Sequence, residues 1–249
     1  MELFAQFKSF LASQFQTSSQ RYQMVDVYRG IALLAMVIYH FCFFSNVYGV
    51  FHIPITSDLR WIIFQKSIAA SFFFLVGVSL YLAYGSGIHY GKFAKRLSLL
   101  IFCAVIVTST SLLFFPNAVV WFGILHAIAI CSVLGLLFLR FQILNIVIAI
   151  PIIWMGISYS SPAFNETYLY WFGLGTEHFN TLDYQPLAPW FGVVLLGIAA
   201  GSLLQKSTFK HRSYNTAPVL MLTYLGKHTL FLYMAHVPFI LLVMEIISL

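Results

Sequence analysis

The sequence predicts an all-α fold, a polytopic membrane helix bundle of about seven transmembrane helices with its N-terminus in the cytoplasm. Three observations carry that expectation. Of the 249 residues, 61% are hydrophobic and 8% charged, with a mean hydropathy of +0.89, a balance that excludes an ordinary soluble domain. Apolar stretches of spanning length recur from one end of the chain to the other. Lysine and arginine collect in alternate connections between those stretches.

Residues 1–24 place Phe4, Phe7, Leu11 and Phe15 at helical spacing, with Glu2 and Lys8 interrupting the apolar run and no small-residue cleavage site behind it. They read as a cytoplasmic, amphipathic interfacial helix rather than a cleaved leader. Residues 25–249 read as one transmembrane domain. Candidate spans lie at 28–48, 62–84, 97–115, 118–138, 143–160, 187–204 and 227–247, the weakest being 143–160. No repeat, low-complexity tract or linker divides this region.

Lys8 and Arg21 precede the first span, and Lys92, Lys95 and Arg96 follow the second. Arg140 follows the fourth, and Lys206, Lys210 and Arg212 follow the sixth. The hairpin at Pro116–Asn117 is uncharged, and the loop 161–186 carries Glu166, Glu177 and Asp183 without lysine or arginine. The positive-inside rule therefore sets the N-terminus inside and the C-terminus outside, with Arg60 and Lys66 as exceptions. The net charge of +6 follows from this topology, and no nucleic-acid-binding pattern accompanies it. Cys42, Cys103 and Cys131 fall inside spans, as small apolar residues do, and form no disulfide framework.

The polar residues inside the apolar spans need a reason to be there. Arg29 and His40 are eleven residues apart on the first span, which sets them on one face of a helix. The rise between them is roughly 16 Å, about half a hydrocarbon core. His126 and His236 fall at depths comparable to His40 on two other spans. Three imidazoles suit general base work, or they tie neighbouring helices together. Metal-ligand pairs three or four residues apart are absent and no acid accompanies the histidines, so no metal is expected. Asp26 and Arg29 either pair and snorkel at the span end, or Arg29 offers its fork of donors to an anion while Gly30 lets a backbone or ligand come close. Asp183 precedes Pro186, Pro189 and Trp190, which fix and anchor a membrane entry; Asp183 itself either shares that structural task or, with the aromatic residues, holds a sugar hydroxyl. Pro238 is expected to kink the last span beside His236.

The string Asp26-Val-Tyr-Arg29-Gly30-Ile-Ala, with His40 at the end of the span, resembles the transmembrane acyltransferase superfamily, and an arginine, ten residues and a histidine mark its O-acyltransferase branch. Residues 72–81, 122–126, 183–192 and 225–236 make the rest of the chain similar to the heparan-α-glucosaminide N-acetyltransferase catalytic-domain family in its short bacterial form. The resemblance implies a multi-pass protein of the bacterial inner (plasma) membrane that moves an acetyl or other acyl group from acyl-coenzyme A to a carbohydrate-type hydroxyl or amine. Acetyl-coenzyme A is then the expected donor, met from the cytoplasm by Arg29 with Gly30 and Asp26. His40 is the expected base or acyl carrier, with His126, Asp183 and His236 in supporting or substrate-binding positions. In the lysosomal enzymes of that family an amide matches His40 and the catalytic histidine lies eleven residues on, at Phe51 here and next to His52. His40 and His52 are therefore both candidate bases. The expected partners are membrane lipids and a carbohydrate or glycolipid acceptor, with no nucleic acid and with a homo-oligomer left open. A transporter or flippase for a polar or anionic solute is the alternative, since the same buried histidines and arginine make substrate and proton pathways.

Overall fold

The computed structural model describes residues 22–177, 180–207 and 214–248. The amphipathic helix expected over 1–24 lies almost wholly outside the described residues. Among the described residues, eight α-helices follow one another: α1 (Gln23–Val47), α2 (Leu59–Tyr84), α3 (Tyr90–Phe114), α4 (Ile124–Phe138), α5 (Asn145–Ser158), α6 (Leu187–Lys206), α7 (Ala217–Lys227) and α8 (Thr229–Ser248). Short 3₁₀ turns occupy Pro116–Ala118, Leu139–Leu144, Pro162–Phe164 and Thr167–Phe172. Among the described residues, extended pairing is confined to a parallel bridge between Phe122 and Tyr184.

Among the described residues, six helical stretches are long and apolar enough to cross a membrane, the fourth being the 35-residue run Ile124–Ser158. An unbroken helix of that length would extend to roughly 50 Å against a hydrocarbon core of about 30 Å. The run is broken over Leu139–Leu144, where Gln142 takes a positive φ of 47°. The fully buried Asn145 bridges the break by donating its amide to the carbonyls of Phe138 (3.0 Å) and Gln142 (2.9 Å). Lys206 Nζ donates to the Gln142 side-chain oxygen at 2.9 Å. The spans expected at 118–138 and 143–160 are thus the two halves of this run, and the six stretches among the described residues are close to the expected count of about seven. At 11 residues α7 is too short to cross, and it was not foreseen as an element of its own.

The described residues form two compact units, one of those before residue 69 together with those after residue 207, and the other of those in 69–207. In the first, α7 runs antiparallel to the start of α1, and α8 then turns back and runs parallel to it. The antiparallel crossing depends on two glycines. A Cβ at Gly30 would fall on the Leu222 carbonyl oxygen, and one at Gly226 on the Asp26 carbonyl oxygen. With hydrogen there instead, the two backbones touch. Gln23 fastens the approach to α7, donating to the Tyr214 carbonyl (3.0 Å) and accepting from the Tyr214 N–H (2.7 Å). Ser45 donates to Met244 Sδ at 3.5 Å and joins the far ends of α1 and α8. Before α2, Asp58 acts as a helix cap, accepting from the Arg60 N–H at 2.8 Å, while the Arg60 guanidinium bonds both carboxylate oxygens and holds the carboxyl below its usual range.

In the second unit, the later part of α2 and α6 cross just as closely. A Cβ at Gly77 would meet the Val194 carbonyl oxygen, and one at Gly197 the Phe74 carbonyl oxygen. Phe73 and Trp190 stack at 5.2 Å with an interplanar angle of 13°. Trp190 is therefore buried in helix packing. α5 lies antiparallel on α6, where a Cβ at Gly192 would meet the Ile153 side chain at 2.6 Å.

Candidate active site

Within the first unit, α1 and α8 bring His40 and His236 together, their ring centroids 4.9 Å apart and their planes at 68°. His40 Nδ1 lies 3.0 Å from the Met36 carbonyl oxygen one turn earlier on its own helix. A carbonyl only accepts, so the Nδ1 position carries the proton and the neutral ring's lone pair is on Nε2. His236 is arranged in the same way, with Nδ1–H bonded to the Tyr233 carbonyl. Tyr39 meets the His40 ring edge-on at 5.6 Å. An imidazole whose Nδ1 is fixed by its own helix and whose Nε2 carries the lone pair has the tautomer a general base needs. His52, the other candidate, is exposed in the loop between α1 and α2.

Three turns before His40, the Arg29 guanidinium meets the corner where α7 ends and α8 begins. It bonds Asp26 Oδ1 at 2.7 Å and the Gly226 carbonyl at 3.4 Å. Gly226 is in the last turn of α7, where the carbonyl end of the helix dipole favours a cation. The same carbonyl accepts from the Thr229 hydroxyl at 2.8 Å. The Asp26 side chain is 3% exposed and that of Arg29 22%. Asp26 and Arg29 thus form a pair, and the space beside Gly30 is taken by the Leu222 backbone. Because Asp26 is buried, Arg29→Ala is expected to cost about 3 kcal/mol by leaving the carboxylate without its guanidinium. Thermal unfolding in detergent checks this. The double variant Arg29→Gln with Asp26→Asn should recover most of the loss, since it removes both charges.

His126 belongs to the second unit, and its hydrogen bonds are those of a structural tie. The Gly123 N–H donates to Nδ1 at 3.3 Å, which leaves the proton on Nε2, 3.2 Å from Thr108 Oγ1. Thr108 in turn donates to the Val120 carbonyl at 2.8 Å. The chain joins α3 to the start of α4. Asp183, 59 residues downstream, caps the same helix start by accepting from the Ile124 N–H at 2.7 Å through Oδ2, and from Gln185 Nε2 at 3.0 Å through Oδ1. Beside it Tyr170 and Tyr184 stack at 4.3 Å, and Tyr184 donates to the Tyr170 carbonyl at 2.7 Å. Burial, reinforced by the Asp183 charge, pushes the Tyr170 hydroxyl up to about 12. Asp183→Ala is expected to lower stability by about 1–2 kcal/mol through loss of this charged cap. Guanidinium or thermal unfolding of the variant in detergent is the check, and Asp183→Asn should retain part of the bond.

The structure thus joins His40 to His236 and Arg29 to Asp26, and gives His126 and Asp183 partners within the other unit. Thr108, Gln185 and Gly226 were not singled out from the sequence. A threonine or glycine inside an apolar span has no pattern of its own until its neighbour is known.

A family model described as heparan-alpha-glucosaminide N-acetyltransferase, catalytic, matches residues 21–238. The chain belongs to this family. The match runs from the start of α1 to Pro238 on α8 and takes in Arg29, His40, His126, Asp183 and His236. Membership in the heparan-α-glucosaminide N-acetyltransferase catalytic family makes this an acyltransferase-type protein. The six apolar helices make it a multi-pass integral membrane protein. Comparison with curated proteins and with solved structures returns no match.

Proposed function

We propose that the protein transfers an acetyl or related acyl group from acyl-coenzyme A to a hydroxyl or amine of a carbohydrate-type acceptor, at the bacterial inner membrane and with its N-terminus cytoplasmic. Family membership supplies the reaction class. The observation that carries the residue assignment is His40, fixed through Nδ1–H to the Met36 carbonyl with its lone pair on Nε2. His40 Nε2 takes the proton of the acceptor's O–H or N–H as that atom bonds to the thioester carbonyl carbon. The carbon–sulfur bond breaks, and His40 returns the proton to the departing thiolate. Arg29 supports the anionic part of the donor, with Asp26 orienting its guanidinium and Gly30 letting α7 approach. Asp183 and His126 support the reaction by setting the start of α4, and His52 is the alternate base.

The reading is tested with purified protein in vesicles, [¹⁴C]acetyl-coenzyme A and a membrane carbohydrate fraction. The expected result is protein-dependent transfer of label to the acceptor with release of free coenzyme A. Proton-coupled uptake of a solute with no label transfer would contradict it and favour a transporter.

A further inference from the structure

The proposed mechanism leaves one buried group of the first unit unused. His236 is 8% exposed, its Nδ1–H is spent on the Tyr233 carbonyl, and its Nε2 has no hydrogen-bond partner among the described residues. The neighbouring His40 ring cannot supply the missing donor while both rings are neutral, because its proton is also on Nδ1. A desolvated acceptor without a donor works against folding, and a phenyl ring of the same shape would fill this position without that penalty. The backbone shows the same lack of donors one step further on. Pro238 has no N–H, so the Met234 carbonyl loses its α-helical donor one turn from the ring.

We propose that His236 is a ligand-binding residue: its Nε2 accepts a hydrogen bond from an N–H or O–H of a molecule bound against the His40 ring. Two groups of the proposed reaction carry such a hydrogen. One is the amide N–H of the acyl donor's pantetheine arm, and the other is the hydroxyl or amine of the acceptor. Either would place a reacting group beside the ring whose Nε2 holds the lone pair. The inference rests on the acyltransferase reading.

The test uses the full-length protein in detergent with two variants, His236→Phe, which keeps the ring shape without the acceptor, and His236→Gln, which restores a polar group near the Nε2 position. Melting temperature, acetyl-coenzyme A affinity by calorimetry, and kcat and KM for transfer are measured for each. His236→Phe is expected to fold with an equal or higher melting temperature and yet to lose about tenfold or more in ligand recognition, the worth of one buried hydrogen bond. A raised Kd for acetyl-coenzyme A assigns the bond to the donor. A raised acceptor KM with unchanged donor Kd assigns it to the acceptor. His236→Gln is expected to recover part of either loss. The inference is overturned if His236→Phe binds and turns over as wild type does. It is overturned equally if neither variant folds, because His236 would then be a packing residue. A wild-type protein that binds acetyl-coenzyme A without transferring its acyl group contradicts the acyltransferase reading instead, and the calorimetric comparison still decides the role of His236.

Discussion

His40→Ala is expected to abolish acyl transfer, with a loss of roughly 10²–10⁴-fold, the usual contribution of a positioned general base. The protein should remain folded and inserted. His40 is only partly buried, and its Nδ1 hydrogen bond is to its own helix. Activity is read as label transferred from acetyl-coenzyme A per amount of protein in the membrane fraction, which separates lost chemistry from lost insertion. His52→Ala is the matched comparison and should stay close to wild type, because an exposed loop side chain is not held in the geometry that base catalysis requires. The opposite pattern, an inactive His52 variant and an active His40 variant, would move the base to the position next to Phe51.

Gly226→Ala should be the most damaging single-methyl substitution in the first unit. The added carbon falls on the Asp26 carbonyl oxygen, so α7 and α1 must separate. Backbone collisions of this kind lie at the upper end of overpacking penalties, about 3 kcal/mol or more. For a chain of this size that corresponds to a fall in melting temperature of about 6–12 °C. The movement also carries away the Gly226 carbonyl that accepts from Arg29 and Thr229, so loss of stability and disturbance of the Arg29 corner should appear together. Gly91→Ala is the control. Nothing lies within 4 Å of a Cβ there, and in a helix the substitution should be neutral or gain up to about 1 kcal/mol.

The helical membrane fold was legible because spanning length and apolar composition leave the backbone little alternative. The break between the fourth and fifth apolar stretches was legible too, since Arg140, Gln142 and Asn145 interrupt the run. Its meaning as a joint within one long stretch was not, because that depends on Asn145 reaching back to Phe138 and Gln142. α7 was missed since Ala217–Lys227 is short and only moderately apolar, and its helix is stabilised by contact with α1 through Gly30 and Gly226. In the candidate site, helical periodicity aligned Arg29 with His40. Similar depth suggested that His40, His126 and His236 cluster, but depth says nothing about which helices touch. Packing joins His40 and His236 within one unit, and the hydrogen bonds of His126 to Gly123 and Thr108 give it a structural task in the other. Asp183 looked like a site residue because it is an acid near a membrane entry. Its bond to the Ile124 N–H also makes it a helix cap, a role that a separation of 59 residues hides from any local pattern.

Among these residues the central claim is the line along α1, from Arg29 at the α7–α8 corner to the imidazole pair three turns further on. An experimental structure of the protein with acetyl-coenzyme A bound tests it most directly. The account requires the anionic end of the donor at Arg29 and the thioester within hydrogen-bond reach of His40 Nε2. A donor bound with its thioester away from His40, or held without Arg29, would contradict it.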